Sequence, residues 1–251
     1  MSDGYPVSMA TRTRLAAVLS SLAAIALLSA GCTSTPAAET PTSSPAPSAN
    51  AGDDTDDIEG VLLEGRMFAV ITWGSSGCIP QVDEVTADGQ TVTLNLVDLE
   101  GEDGEEQICT ADYAPRASVG ALPEGVDPTA EITLNVTYGD VVDDVDLDGN
   151  PDFAGKPGSS TEYQPSAGWF DDSSLVLLTW GSSSCAPVVE SVEGAGNAGT
   201  VTFVTDAEQV CTMDMAPRAT IIAFPDDVDD DDFTLTLTGD GLDGTVKVRS
   251  S

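Results

Sequence analysis

Polar and apolar residues alternate along much of the chain after its first third. Thr91 to Leu96, Ile132 to Tyr138 and Phe233 to Thr238 each switch character at every position. A strand with one buried face requires this period of two. Phe68 to Trp73 and Leu175 to Trp180 are more continuously apolar, as expected of strands buried on both faces. Ala117 to Leu122 and Ala219 to Phe224 run directly into Pro123 and Pro225, which end them. Thr200 to Thr205 and Thr245 to Arg249 complete the set. No helical period appears beyond residue 32, so the pattern predicts an all-β fold.

The pattern occurs twice. Trp73-Gly74-Ser75-Ser76-Gly77-Cys78 returns as Trp180-Gly181-Ser182-Ser183-Ser184-Cys185, and Cys109-Thr110-Ala111-Asp112 returns as Cys211-Thr212-Met213-Asp214. Arg116 to Pro123 matches Arg218 to Pro225 in the same order and nearly the same spacing. Such self-similarity marks tandem copies of one structural unit of roughly 70 residues. We expect two tandem β-sandwich-like units of four or five strands each, at 58–140 and 169–251. An acidic linker should occupy 141–168. Whether the units stay separate or pack as one larger sandwich is open at this stage.

Aromatic residues make up 5% of the chain, so each core is thin and covalent staples matter. Apart from Cys32, four cysteines remain, and four allow three pairings. Repetition selects Cys78 with Cys109 and Cys185 with Cys211, because a single ancestral unit had to satisfy its own pair. Closing loops of this length contributes about 3.5 kcal/mol per bridge from loop-closure entropy. A redox or metal role for these cysteines is disfavoured: Cys-x-x-Cys is absent, and the chain contains no histidine.

The N-terminal region reads as an export signal. Arg12 and Arg14 precede an apolar run from Leu15 to Ala30, shorter than the roughly 20 residues that span a bilayer. The run ends in Leu28-Ser29-Ala30-Gly31-Cys32, which resembles the lipobox of bacterial lipoproteins. The resemblance implies that residues 1–31 are removed, that Cys32 is lipidated, and that the protein is anchored in the cell membrane facing outward. Residues 32–57, rich in Ser, Thr, Pro and Ala, then form a disordered tether, since they cannot bury enough apolar surface to order themselves. The lipobox and the Asp-rich, Lys-poor composition resemble those of actinobacterial lipoproteins. This likeness speaks to location and implies no activity.

Charge narrows the partners. Acidic residues outnumber basic ones 43 to 8, a net charge of −35. Nucleic acid is excluded as a partner by repulsion, whereas cations and basic polymers are attracted. Beyond the membrane anchor, a cell-wall or protein ligand is the expected partner. The Ser-rich turns after each tryptophan suggest a nucleophile, but no histidine can serve as its base. Trp73 and Trp180 therefore read as structural, packing near the disulfides. Asp112 with Arg116, and Asp214 with Arg218, stand four apart in both copies and suggest an ion pair locking each turn. The alternative is an arginine that grips a carboxylate ligand.

One candidate metal site remains. Asp144, Asp146, Asp148, Asn150 and Asp152 follow the spacing that wraps carboxylates around calcium in EF-hand-like loops. A solvated acidic linker is the competing reading. No cofactor is expected apart from this possible Ca²⁺. Together these features describe a non-enzymatic binding or scaffold module, with a calcium-stabilised adhesion module as the alternative. A carboxylate-based glycan hydrolase is a distant third.

Overall fold

The computed structural model describes residues 58–101, 107–151 and 163–250. The signal segment, Cys32, the tether and Asp152 lie outside them. All-β architecture holds throughout, and the only helical turn among the described residues is a short 3-10 turn at Glu64–Arg66. The first half contains β1 (Glu59–Leu63), β2 (Met67–Gly74), β3 (Gln81–Asp88), β4 (Thr91–Val97), β5 (Ala114–Ala121), β6 (Ile132–Tyr138) and β7 (Val141–Leu147). The second contains β8 (Ser166–Trp169), β9 (Ser174–Gly181), β10 (Val189–Ala195), β11 (Ala198–Phe203), β12 (Ala216–Ala223), β13 (Thr234–Thr238) and β14 (Gly244–Arg249).

Each half has the same plan. A three-strand sheet, β1-β2-β5, faces a four-strand sheet, β3-β4-β6-β7. The second half repeats both orders as β8-β9-β12 and β10-β11-β13-β14, joined into one seven-strand sheet by a short parallel contact of β14 with β8. The parallel pair β4–β6 has its counterpart in β11–β13. Trp73 lies opposite Pro115 and Trp180 opposite Pro217, so the register also corresponds.

Three cores hold these layers together. Phe68, Val70, Leu94 and Leu134 belong to the first, and Leu175, Leu177, Val201 and Leu235 to the second. The third lies between the halves and joins Ala69 and Ile71 of β2 to Val176 and Leu178 of β9. Alternate residues of β2 and β9 thus point into different cores, which is why these two strands are apolar on both faces. The halves pack through their three-strand sheets, with β5 against β12 and β1 against β8. Among the described residues the two halves thus share the third core.

Seven strands per half replace the four or five expected. β3 escaped notice because it is largely exposed and acidic, with a register shift between Asp83 and Thr86. The supposed linker at 141–168 needs a larger correction. Its first seven residues are β7, fully paired with β6, and its last three open β8. The alternation of valine or leucine with aspartate in this stretch is a strand signature: Val145 and Leu147 are buried while Asp144 and Asp146 face outward.

Both disulfides form as repetition selected them, Cys78–Cys109 and Cys185–Cys211. Each ties the turn after a tryptophan strand to the segment leading into β5 or β12.

Candidate functional site

The motifs shared by the two halves converge on these disulfide loops. In the first, the Ser75 and Thr110 hydroxyls hydrogen-bond at 2.8 Å, and the Gly77 N–H donates to Thr110 Oγ1 at 3.1 Å. The Ser76 N–H donates to Asp112 Oδ1 at 3.3 Å, and the Thr110 hydroxyl donates to the same carboxylate. The second loop repeats the arrangement. Ser182 and Thr212 pair at 2.7 Å, the Ser183 N–H donates to Asp214 at 3.2 Å, and Thr212 donates to Asp214. Hydrogen bonds from Ser76 and Thr110 hold the Asp112 carboxyl well below its ordinary range, at about 2. Those from Thr212 and Ser183 do the same for Asp214, also to about 2.

The arginines act beneath the loops. Arg116 donates to the Cys78 carbonyl at 2.7 Å, the Trp73 carbonyl at 3.3 Å and the Thr72 hydroxyl at 3.2 Å. It also reaches the Tyr138 hydroxyl at 3.4 Å, with its guanidinium carbon 5.8 Å from the centre of that ring. Arg218 donates to the Cys185 carbonyl at 2.8 Å and the Trp180 carbonyl at 3.2 Å. The glycine after each tryptophan now has a reason. A Cβ on Gly74 or Gly181 would sit 2.7 Å from the guanidinium carbon of Arg116 or Arg218.

The expected ion pairs are therefore corrected. Asp112 does not bridge Arg116, and Asp214 does not bridge Arg218; among the described residues the ion pairs are Lys247–Asp232 and Arg249–Glu64. A spacing of four brings side chains together on a helix. Here the arginine belongs to a strand and the aspartate to the loop before it, so the two point to different neighbours. Trp73 and Trp180 face the core between the halves and sit beside the loops. Trp73 meets the Phe170 ring edge-on at 6.5 Å, and Trp180 meets Tyr163 at 5.3 Å.

The calcium-loop reading also meets a different backbone. Asp144 lies opposite Asn135 and Asp146 opposite Thr133 in the β6–β7 ladder. Extended backbone places alternate side chains about 6.5–7 Å apart in a row, where a coordinating loop would wrap them around one point. The Asp146 carboxylate accepts from the Thr133 hydroxyl at 2.9 Å. Asp148 and Asn150 follow in the turn, with the Asn150 N–H donating to the Pro128 carbonyl at 2.8 Å. Among the described residues no group of three or more carboxylate or cysteine side chains is placed to hold a metal ion.

Between the two disulfide loops runs an open groove of about 590 Å³. Both halves line it, the first through Ser76, Ile79 and Gln107 and the second through Ser183, Ala186 and Arg218. Exposed apolar side chains stand on the same two disulfide loops. Ile108 is 97% exposed, Val210 93% and Met213 103%. Ile108 and Val210 each immediately precede the cysteine that closes the loop, so the halves present an apolar tip at the same place. The sequence reading missed them, although a β-branched residue repeated outside any strand pattern was the available signal. Burying one such side chain would contribute about 1.5–3 kcal/mol.

Comparison with protein-family models, with curated proteins and with solved structures found no match.

Proposed function

We propose that this protein is a lipid-anchored, outward-facing binding module, not an enzyme, and that it holds a basic polypeptide with apolar side chains across its paired disulfide loops. The observation that carries this reading is the full exposure of Ile108 and Val210 at equivalent points on the two disulfide loops. Charge sets the partner's chemistry. A net charge of −35 favours cationic polymers and speeds their approach, while the apolar tips supply contacts a purely ionic surface lacks.

A binding role also accounts for the motif residues. The loop serines, threonines and aspartates hydrogen-bond to one another and shape the loops, and the arginines bind backbone carbonyls. Rigid loops that reach a partner from two sides lose little conformational freedom on binding. Lipidation of Cys32, with residues 32–57 as tether, would hold the module at the membrane surface. Labelling cells with an alkynyl fatty acid should mark the full-length chain, and Cys32→Ser should lose the mark.

The binding test uses two fluorescent synthetic peptides of identical leucine and isoleucine content, one carrying lysines and the other glutamates. The full-length chain should bind the lysine peptide, more weakly as salt rises from about 50 to about 500 mM. The double substitution Ile108→Ser with Val210→Ser should weaken binding by about tenfold or more. Equal binding of both peptides, or undiminished binding by the double variant, would overturn the proposal.

A further inference from the structure

A second cavity lies where the two halves meet, away from the disulfide loops. It has a volume of about 250 Å³ and is bounded by β1 and the end of β7 on one side, β8 and the end of β14 on the other. The two halves contribute equivalent positions. Val145 pairs with Leu134 and Val246 with Leu235, so Asp148 and Arg249, each three residues further on, correspond. Val61 pairs with Ala69 and Gly168 with Val176, four residues before their tryptophans, so Leu62 and Trp169 correspond as well. All six of Val61, Leu62, Asp148, Gly168, Trp169 and Arg249 line the cavity. Gly168 is needed for the close approach, because a Cβ there would sit 2.8 Å from Val61 Cγ1.

The halves differ at the position that matters: one supplies a carboxylate and the other a guanidinium. Asp146 also borders the cavity, with its carboxylate held by the Thr133 hydroxyl. On the donor side, two buried nitrogens have no hydrogen-bond partner among the described residues, Trp169 Nε1 and Arg249 NH1. The nearest carboxylate to Arg249 NH1 is Glu64 at 3.9 Å, too long for a hydrogen bond. Trp169 is 2% exposed. Buried donors of this kind are normally satisfied, and Arg249 lies on the cavity side of β14, its Cβ 3.8 Å from where a Gly168 Cβ would sit, so the cavity calls for an acceptor there. Desolvation lowers the pKa of Arg249 and the Glu64 carboxylate, its loose ion-pair partner, works against that shift.

We propose that this cavity binds a small zwitterion, a free α-amino acid, with its carboxylate on Arg249 and its ammonium on Asp148. Donors and acceptors sit in one cavity, so a ligand carrying a single charge would leave one side unanswered. A ligand lacking the carboxylate would leave the buried Arg249 donor unanswered, at about 1–3 kcal/mol, and one lacking the ammonium would forgo the contact with Asp148. The site is independent of the groove reading and uses none of its residues.

The test is thermal unfolding and titration calorimetry of the full-length chain with individual α-amino acids, and with acetate and methylammonium as single-charge controls. At least one amino acid should raise the unfolding midpoint and give a saturable heat, and neither control should. Arg249→Met and Asp148→Asn should each weaken binding about tenfold or more. Asp148 is exposed, so its variant remains informative if Arg249→Met fails to fold. Silence from every amino acid, binding of acetate or methylammonium alone, or undiminished binding by Asp148→Asn would overturn the assignment.

Discussion

The carboxylate of Asp112 accepts a hydrogen bond from the backbone N–H of Ser76, 36 residues earlier, and forms no ion pair with Arg116 four residues later. The same holds for Asp214 and Ser183 in the second half. An acidic side chain on each loop thus replaces a missing backbone partner for the turn. The arginine that looked like its mate secures the strand ends from below.

Titration of these two carboxyls follows from that geometry. Both should show midpoints near 2 by carboxyl-resolved NMR, below their ordinary 3.8. A depressed folded value means the stabilising contribution is present above about pH 4 and is lost as pH falls through about 2. Both groups are exposed, so the sign of the effect is the prediction. Asp112→Asn should lose this acid-side dependence at its own loop only, read from the Thr110 and Ser76 resonances.

Replacing Arg116 by alanine should cost roughly 2–4 kcal/mol, because the Cys78 and Trp73 carbonyls would lose the buried charged donor beneath the loop. Arg218→Ala should cost less, since Arg218 is the more exposed of the two. Chemical denaturation measures both. Unchanged stability in Arg116→Ala would reassign the arginine from fold to ligand.

The core between the halves should make them unfold together. Ile71 is fully buried there, and Ile71→Ala should cost about 2–5 kcal/mol, lowering the midpoint by roughly 5–15 °C. Calorimetry should show one transition before and after the substitution. Two separable transitions in the parent protein would mean that the third core does not couple the halves.

Calcium should act only as a counterion. With Asp144 and Asp146 in a strand ladder, millimolar Ca²⁺ and Mg²⁺ should shift the unfolding temperature equally, by screening the acidic surface. The shift should persist in Asp144→Asn with Asp146→Asn. A calcium-specific shift abolished by that pair would restore the coordinating reading.

Much of the fold was legible because period-two patterning survives wherever one face of a strand is buried, as in β4 and β6. The continuous apolar runs of β2 and β9 already contained the third core, since only strands covered on both sides read that way. β7 was lost for a specific reason: its outward aspartates at alternate positions match a calcium-loop spacing as well as a strand. β3 was lost because an exposed, acidic edge strand carries little hydrophobic signal. Disulfide pairing was legible through repetition. The binding surfaces were less so. Asp148 and Arg249 line one cavity only through the packing of the two halves, and no local pattern announces that Ile108 and Val210 are left exposed at equivalent points of the two loops.

Methyl NMR of the methionines tests the binding account most directly. Met213 and Met215 are exposed on the second disulfide loop, while Met67 is buried in the core between the halves. Adding the lysine peptide to methyl-labelled full-length protein should shift the Met213 and Met215 signals saturably and leave Met67 in place. Binding that moves neither loop methionine, or shifts that persist when Ile108 and Val210 are both serine, would place the partner elsewhere and contradict the account.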